Sequence, residues 1–179
     1  ELLLDEYASI PNMMFYKDGI SVDTQNKFKV GYDVISDRIT VPWRSLSGEL
    51  IGVMGRLNKE EIDEFENKWF PIHSFPKSQT VFGFSDNYMT IQDKSICHIF
   101  ESEKSPMILD SMGSYVGLGL GGSNLSEYQA NNIKSLFTDK IIVAMDEGLD
   151  EEISRSIAEK LKMDRFFKNE VYYVSDKNN

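Results

Sequence analysis

The chain has 179 residues, 41% apolar and 12% aromatic, enough for one large domain or two small ones with a real core. Its 29 acidic residues outnumber 19 basic ones, a formal net charge of −10 that argues against a nonspecific, charge-driven nucleic-acid binder but not against an enzyme that gathers acids around metal ions. One cysteine, Cys97, excludes an internal disulfide framework and a multi-cysteine zinc site and fits a reducing, cytoplasmic compartment, and no apolar run approaches the ~20 residues of a membrane span.

The start, "ELLLDEYASI", carries acids instead of the basic residues of a signal peptide. The first residue is Glu rather than Met, as in a piece of a longer protein. Residues 1–10 predict a helix that stops at Pro11. From residue 27, "KFKVGYD", "RITVPWR" and "LIGVMGR" read as short strands separated by Asp, Ser and Gly. With "SLSGE" (45–49) as a hairpin loop, they predict an antiparallel meander over 27–56. "NKEEIDEFEN" (58–67) predicts a short helix. Residues 68–84, with two prolines and many aromatics, predict an irregular segment anchored by burial. A short helix over 85–93 closes this half.

From residue 94 strands and helices alternate. Strands are expected at 96–100, 115–120, 140–145 and 171–176, and helices at about 103–112, 126–137 and 150–162. Pro106 fits only in the first turns of its helix. "SEYQ" (126–129) has the spacing of a capping box. Ile153, Ile157, Ala158 and Leu161 fall on one face of the last helix. Such alternation predicts an α/β fold, a parallel sheet with helices on both faces, preceded by a smaller α+β subdomain with the antiparallel meander. The expected division is 1–92 and 93–179.

In open α/β sheets functional groups collect past the carboxyl ends of the strands. Three of these strands end in acids, Glu101, Asp146 and Asp176. Asp146 is followed by Glu147 and, past Gly148 and Leu149, by Asp150, Glu151 and Glu152. Oxygen ligands without supporting His or Cys suit Mg²⁺ or Mn²⁺, which share their shell with water and substrate phosphates. Clustered acids of this kind suggest phosphoryl transfer. The same acids also fit solvated loops and a helix N-terminus, where the dipole favours them.

"IFESEKS" (99–105), "LGGSNLSEYQ" (120–129) and "IIVAMDEGLD" (141–150) form a strand ending in Glu, a glycine turn before a helix and a strand ending in Asp. This order resembles the Toprim domain of bacterial-type primases, topoisomerases, OLD-family nucleases and recombination mediators. The preceding "VGYDVISDRITVPWRSLSGELIGVMGR" (30–56), "NKWFP" (67–71) and "FPKSQTVFGF" (75–84) are similar to the stretch before Toprim in replicative primases, and residues 28–176 share the resemblance.

The resemblance implies a DNA primase-like nucleotidyltransferase that makes RNA primers on single-stranded DNA from NTPs with Mg²⁺ or Mn²⁺, and a replicative helicase as a further partner. It implies a catalytic Glu101 and Asp146, with Glu101 assisting deprotonation of the attacking hydroxyl or binding metal. Asp146 would be the first Asp of an Asp-x-Asp metal motif, with Asp150 or Glu147 substituting for the second. Arg56, Lys68 and Lys77 would hold phosphates or template; Arg38 and Lys104 are further basic candidates for nucleotide or nucleic-acid binding, and Trp69, beside Lys68, is a candidate stacking platform that equally fits a core aromatic. The chain departs from the pattern at Ser102, Ser105 and Gly148, where Gly and two acids are usual, a variation that fits a phage or prophage origin. A Toprim-type nuclease or topoisomerase, or a catalytically degenerate binding module, are the alternatives.

Other features have plainer readings. "GLGLGG" (117–122) satisfies G-x-G-x-x-G, but the helix starts too late for a dinucleotide fingerprint, so tight-turn glycines are expected. Cys97 reads as a buried structural thiol, His98 as a strand residue, His73 as a loop residue and Trp43 as core.

Overall fold

The computed structural model describes residues 2–61, 63, 65–146 and 148–175. Its first half begins with a 3₁₀ turn, Leu2–Glu6, and two short helices, α1 (Met13–Lys17) and α2 (Val22–Lys27). Asn12 and Ser21 cap α1 and α2, each accepting from backbone N–H groups of the first turn. Four antiparallel strands follow in sequential order, β1 (Gly31–Asp33), β2 (Arg38–Arg44), β3 (Leu50–Leu57) and β4 (Trp69–His73). The expected loop at 45–49 closes β2 onto β3, with Gly48 at φ +90°.

Four expectations for this half need correction. The described residues of 1–10 form one 3₁₀ turn, Leu2–Glu6, and then an isolated bridge from Ala8 to Tyr32, because the chain is drawn alongside β1. Residues 27–30 end α2 instead of opening a strand. The described residues of 58–67 form no helix: Lys59 pairs with Asp63 and Glu66, and Phe65 lies 98% exposed rather than packed on a core. Residues 69–73, expected to be irregular, are the edge strand β4, where Pro71 is tolerated because no ladder continues beyond it. His73 is therefore a strand residue; its Nε2 lies 2.6 Å from the Tyr7 hydroxyl.

The second half matches the expected alternation closely. Helix α3 (Phe84–Lys94) leads into β5 (Ile96–Phe100), α4 (Lys104–Ser111), β6 (Gly117–Gly119), α5 (Glu127–Lys134), β7 (Lys140–Val143), α6 (Glu151–Leu161) and β8 (Glu170–Tyr173). All four strands are parallel, in the order β6-β5-β7-β8. The chain steps from β5 to β6 on one side, then crosses back to place β7 on the other. The winding direction therefore reverses at β5, the topological switch point of the sheet. The expected strand end at Asp176 lies outside the described residues.

Two apolar cores result. One joins Cys97, Ile99, Ile141 and Val143 of the parallel sheet to Ile133, Ile157, Ala158 and Leu161, and it also holds Phe84 and Ile91 of α3. The other joins Phe15, Ile39, Val41, Trp43 and Phe82 to Met107 of α4, so α4 packs against both halves. The capping box at Ser126 is formed, with Ser126 Oγ accepting from the Gln129 N–H at 3.0 Å and Gln129 Oε1 from the Ser126 N–H at 3.2 Å. Ser126→Ala is expected to cost about 1 kcal/mol in chemical denaturation, the usual worth of a serine cap.

Candidate functional site

The ends of β5 and β7 meet on a cleft of about 420 Å³ between the two sheets. Glu101, the residue after β5, and Asp146, three residues past β7, both line it. Glu101 is half-buried and Asp146 exposed. The Glu101 carboxyl is pushed up from its ordinary value, first by burial and then by the negative charge of Asp146. The backbone fixes Glu101 in place, because its carbonyl accepts from the N–H groups of Gly121 (2.8 Å) and Gly122 (3.0 Å).

Lys68, just before β4, and Trp69, its first residue, face these acids, with Lys77 from the segment after β4 and Lys104 from the start of α4. Lys104 also reaches Asp18 at 2.5 Å. The Lys77 segment is held by Gln129, whose buried amide donates to the carbonyls of Thr80 (3.0 Å), Leu120 (2.9 Å) and Lys77 (3.4 Å). The capping box of α5 thus positions a cleft lysine about fifty residues away in sequence.

The other expected site residues stand outside the cleft lining. Arg38 donates to the carbonyls of Gly55 and Asn67 and lies 5.7 Å from the Phe70 ring centroid. Arg56 is 5% exposed, and its guanidinium donates to the carbonyls of Leu57 and Lys59. Burial lowers the basicity of Arg56. Asp150 caps α6, accepting from the Glu152 N–H at 3.0 Å. Glu147 lies outside the described residues. Among the described residues no group of three or more His, Cys, Asp or Glu is placed to hold one ion.

Two carboxylates and open space still fit a magnesium-type cation, which keeps several waters and takes its remaining ligands from substrate phosphates. The donor set is all oxygen, which suits Mg²⁺ or Mn²⁺ better than zinc.

Glu103 was missed as a site residue. It is 3% exposed yet borders the cleft. Its Oε1 accepts from the Trp43 indole N–H at 3.1 Å and lies 3.8 Å from Lys77 Nζ. Burial pushes this carboxyl up, against the opposing pull of Lys77 and the Trp43 bond. The only local signal was its spacing of two from Glu101; its partners lie 60 and 26 positions upstream.

An acid with a raised folded pKa weakens folding as pH climbs from its ordinary value of 4.5 toward the folded one, because the unfolded chain releases the proton first. Glu103→Gln removes that loss while keeping an oxygen for Trp43. The variant is expected to match wild type below pH 4.5 and to exceed it by about 1 kcal/mol at neutral pH in denaturant titrations.

The glycine run serves approach and turn together, not dinucleotide binding. A Cβ on Gly117 would sit 2.8 Å from Pro106 Cα, and one on Gly119 2.8 Å from the Ser102 carbonyl. Both lie within β6, and only Gly121, at φ +73°, makes the turn. Cys97 is fully buried, its thiol pushed up to about 12 by burial.

Comparison with known proteins supplies the fold. No family model matches the chain. The SPbeta prophage-derived uncharacterized protein YorJ of Bacillus subtilis (strain 168) is 29% identical over 157 residues, covering 82% of this chain and 41% of YorJ. The Aquifex aeolicus primase structure, containing zinc-binding and RNA polymerase domains, superposes with a TM-score of 0.78 at 19% identity, over 97% of this chain and 52% of that one. The DnaG primase catalytic domain bound to ssDNA gives 0.73 at 14% identity, over 99% and 72%. The RNA polymerase domain of Mycobacterium tuberculosis DnaG gives 0.68 at 15%, over 92% and 68%.

The chain therefore has the fold of bacterial primase catalytic cores. It spans about half the length of the Aquifex structure and less than half of YorJ. No described helix is long and apolar enough to cross a membrane.

Proposed function

We propose that this chain is the catalytic core of a primase-like nucleotidyltransferase, of phage type, that works in the cytoplasm and extends nucleotides on a single-stranded DNA template. The observation that carries this reading is the convergence of Glu101 and Asp146 with Lys68, Lys77 and Lys104 on one cleft at the switch point of the sheet. The acids suit metal and proton handling; the lysines suit the polyphosphate of an NTP.

In this reading Glu101 assists deprotonation of the attacking 3′-hydroxyl or serves as a metal ligand beside Asp146. As metal ligands, Asp146 and Glu101 would hold Mg²⁺ or Mn²⁺, which when bound supplies charge neutralisation for the transferring phosphoryl group. Lys68 and Lys77 orient the phosphates, and Trp69 offers a ring for a base.

A degenerate binding module is the second reading, favoured by Gly148, which holds φ +87° at the place of the usual second acid. Calorimetric titration with Mg²⁺ and Mn²⁺, followed by primer assays on single-stranded DNA with NTPs, separates the readings. Metal binding with primers supports the first. Metal binding with nicked DNA turns it into a nuclease, and no metal binding leaves the module.

A further inference from the structure

Glu103 satisfies the indole N–H of buried Trp43, a task that does not require a charge. It precedes α4 directly, yet its carboxylate makes no capping bond to that helix. The side chain turns instead to the cleft floor, where Trp43 and Lys77 meet it. Lys77 Nζ stands 5.7 Å from the Trp43 ring centroid. Gly121 completes the enclosure: a Cβ there would come within 2.3 Å of Lys77 Cε and 2.9 Å of the Trp43 ring. The lysine stem is thus bounded by an indole, a glycine and a carboxylate, and its ammonium borders the same cleft as Glu101 and Asp146.

We infer that Glu103 is a positioning residue, whose buried carboxylate, fixed by Trp43, seats the Lys77 ammonium where it contacts the phosphate of a nucleotide in the cleft. The use of this seat rests on the nucleotidyltransferase reading; the seat itself does not. A free lysine would sample many rotamers of its four-carbon stem before meeting a phosphate. A carboxylate at 3.8 Å is near enough to orient the ammonium and too far for a close hydrogen bond, so donors remain for an incoming anion. Trp43 makes the carboxylate rigid, and the core around Trp43 makes the indole rigid.

The test compares wild type, Glu103→Gln, Lys77→Met and the double variant. Glu103→Gln keeps shape and an acceptor for Trp43, and amide NMR spectra establish that it folds. Without any ligand, the Lys77 methylene protons of wild type should carry an upfield ring-current shift from Trp43, and this should collapse in Glu103→Gln. Inorganic pyrophosphate with Mg²⁺ is then titrated into all four proteins. Lys77→Met should weaken binding about tenfold in wild type, as for loss of one charge-assisted contact, and less than about threefold in the Glu103→Gln background.

A ring-current shift unchanged in Glu103→Gln overturns the inference. So does an equal or larger loss on Lys77→Met in that background, which would make Glu103 a bystander or a competitor for the lysine. Pyrophosphate that wild type does not bind overturns it as well. An intact cycle in a protein that makes no primers leaves the seat standing and removes the nucleotidyltransferase reading alone.

Discussion

Asp146→Asn and Glu101→Gln are each expected to lower primer synthesis by at least about 10²-fold, the scale on which a preorganised charge partner at a reacting centre is felt. Both changes keep the side-chain shape and remove one negative charge. The backbone should not respond at Glu101, because its carbonyl is held by the Gly121 and Gly122 N–H groups whatever the side chain carries. Asp146 is exposed, so its amide costs the fold little.

The two variants should also reveal one another. Asp146 helps hold the Glu101 carboxyl above its ordinary value, so Asp146→Asn should let Glu101 ionise at lower pH. Carboxyl carbon NMR of Glu101 measures this directly. Mn²⁺ affinity by calorimetry should fall in both single variants, and the double variant should lose little more, as expected for two ligands of one ion. Full primer synthesis by either variant would remove the acid pair from the chemistry.

The half of the chain that carries these acids was the more legible. Ile153, Ile157, Ala158 and Leu161 repeat at helical spacing because α6 covers a sheet face, and "SEYQ" signals the cap of α5 by local chemistry alone. Strand ends bearing Glu101 and Asp146 are visible in sequence because a charge does not belong inside a parallel strand. That they converge follows from the strand order, which the crossover back past β5 imposes.

The first half obeyed weaker signals. Strand β4 is hidden by Pro71, which an edge strand accepts and a central one would not. The helix expected at 58–67 is not formed by its described residues, where Phe65 finds nothing to bury it. The cleft floor was illegible for another reason. Trp43, Lys77 and Glu103 come from three separate elements, and their meeting depends on how α4 packs on the antiparallel half. Arg56 shows the converse: a basic residue suited by its type to phosphate is buried, with its Nη1 turned to the backbone carbonyls of Leu57 and Lys59.

Gly121→Ala is expected to cost about 2–4 kcal/mol of stability, from a left-handed backbone that L residues resist and from overpacking against a rigid ring. The backbone there has φ +73°, fixed by the turn that sends the Gly121 N–H to the Glu101 carbonyl. The new methyl would meet Lys77 Cε at 2.3 Å and Trp43 at 2.9 Å. Lys77 is the softer of the two and should move first, since Trp43 is fully buried. Phosphate affinity should therefore fall along with stability. Gly122→Ala provides the control, because a Cβ at Gly122 meets nothing within 4 Å, although it donates to the same carbonyl. That variant should stay within about 0.5–1 kcal/mol of wild type and keep its pyrophosphate affinity, the range for a glycine replaced without strain. Denaturant titrations of the two alanine variants, side by side, decide the point. If they unfold alike, crowding at Gly121 does not hold Lys77 against the indole, and Glu103 alone must account for the position of that lysine.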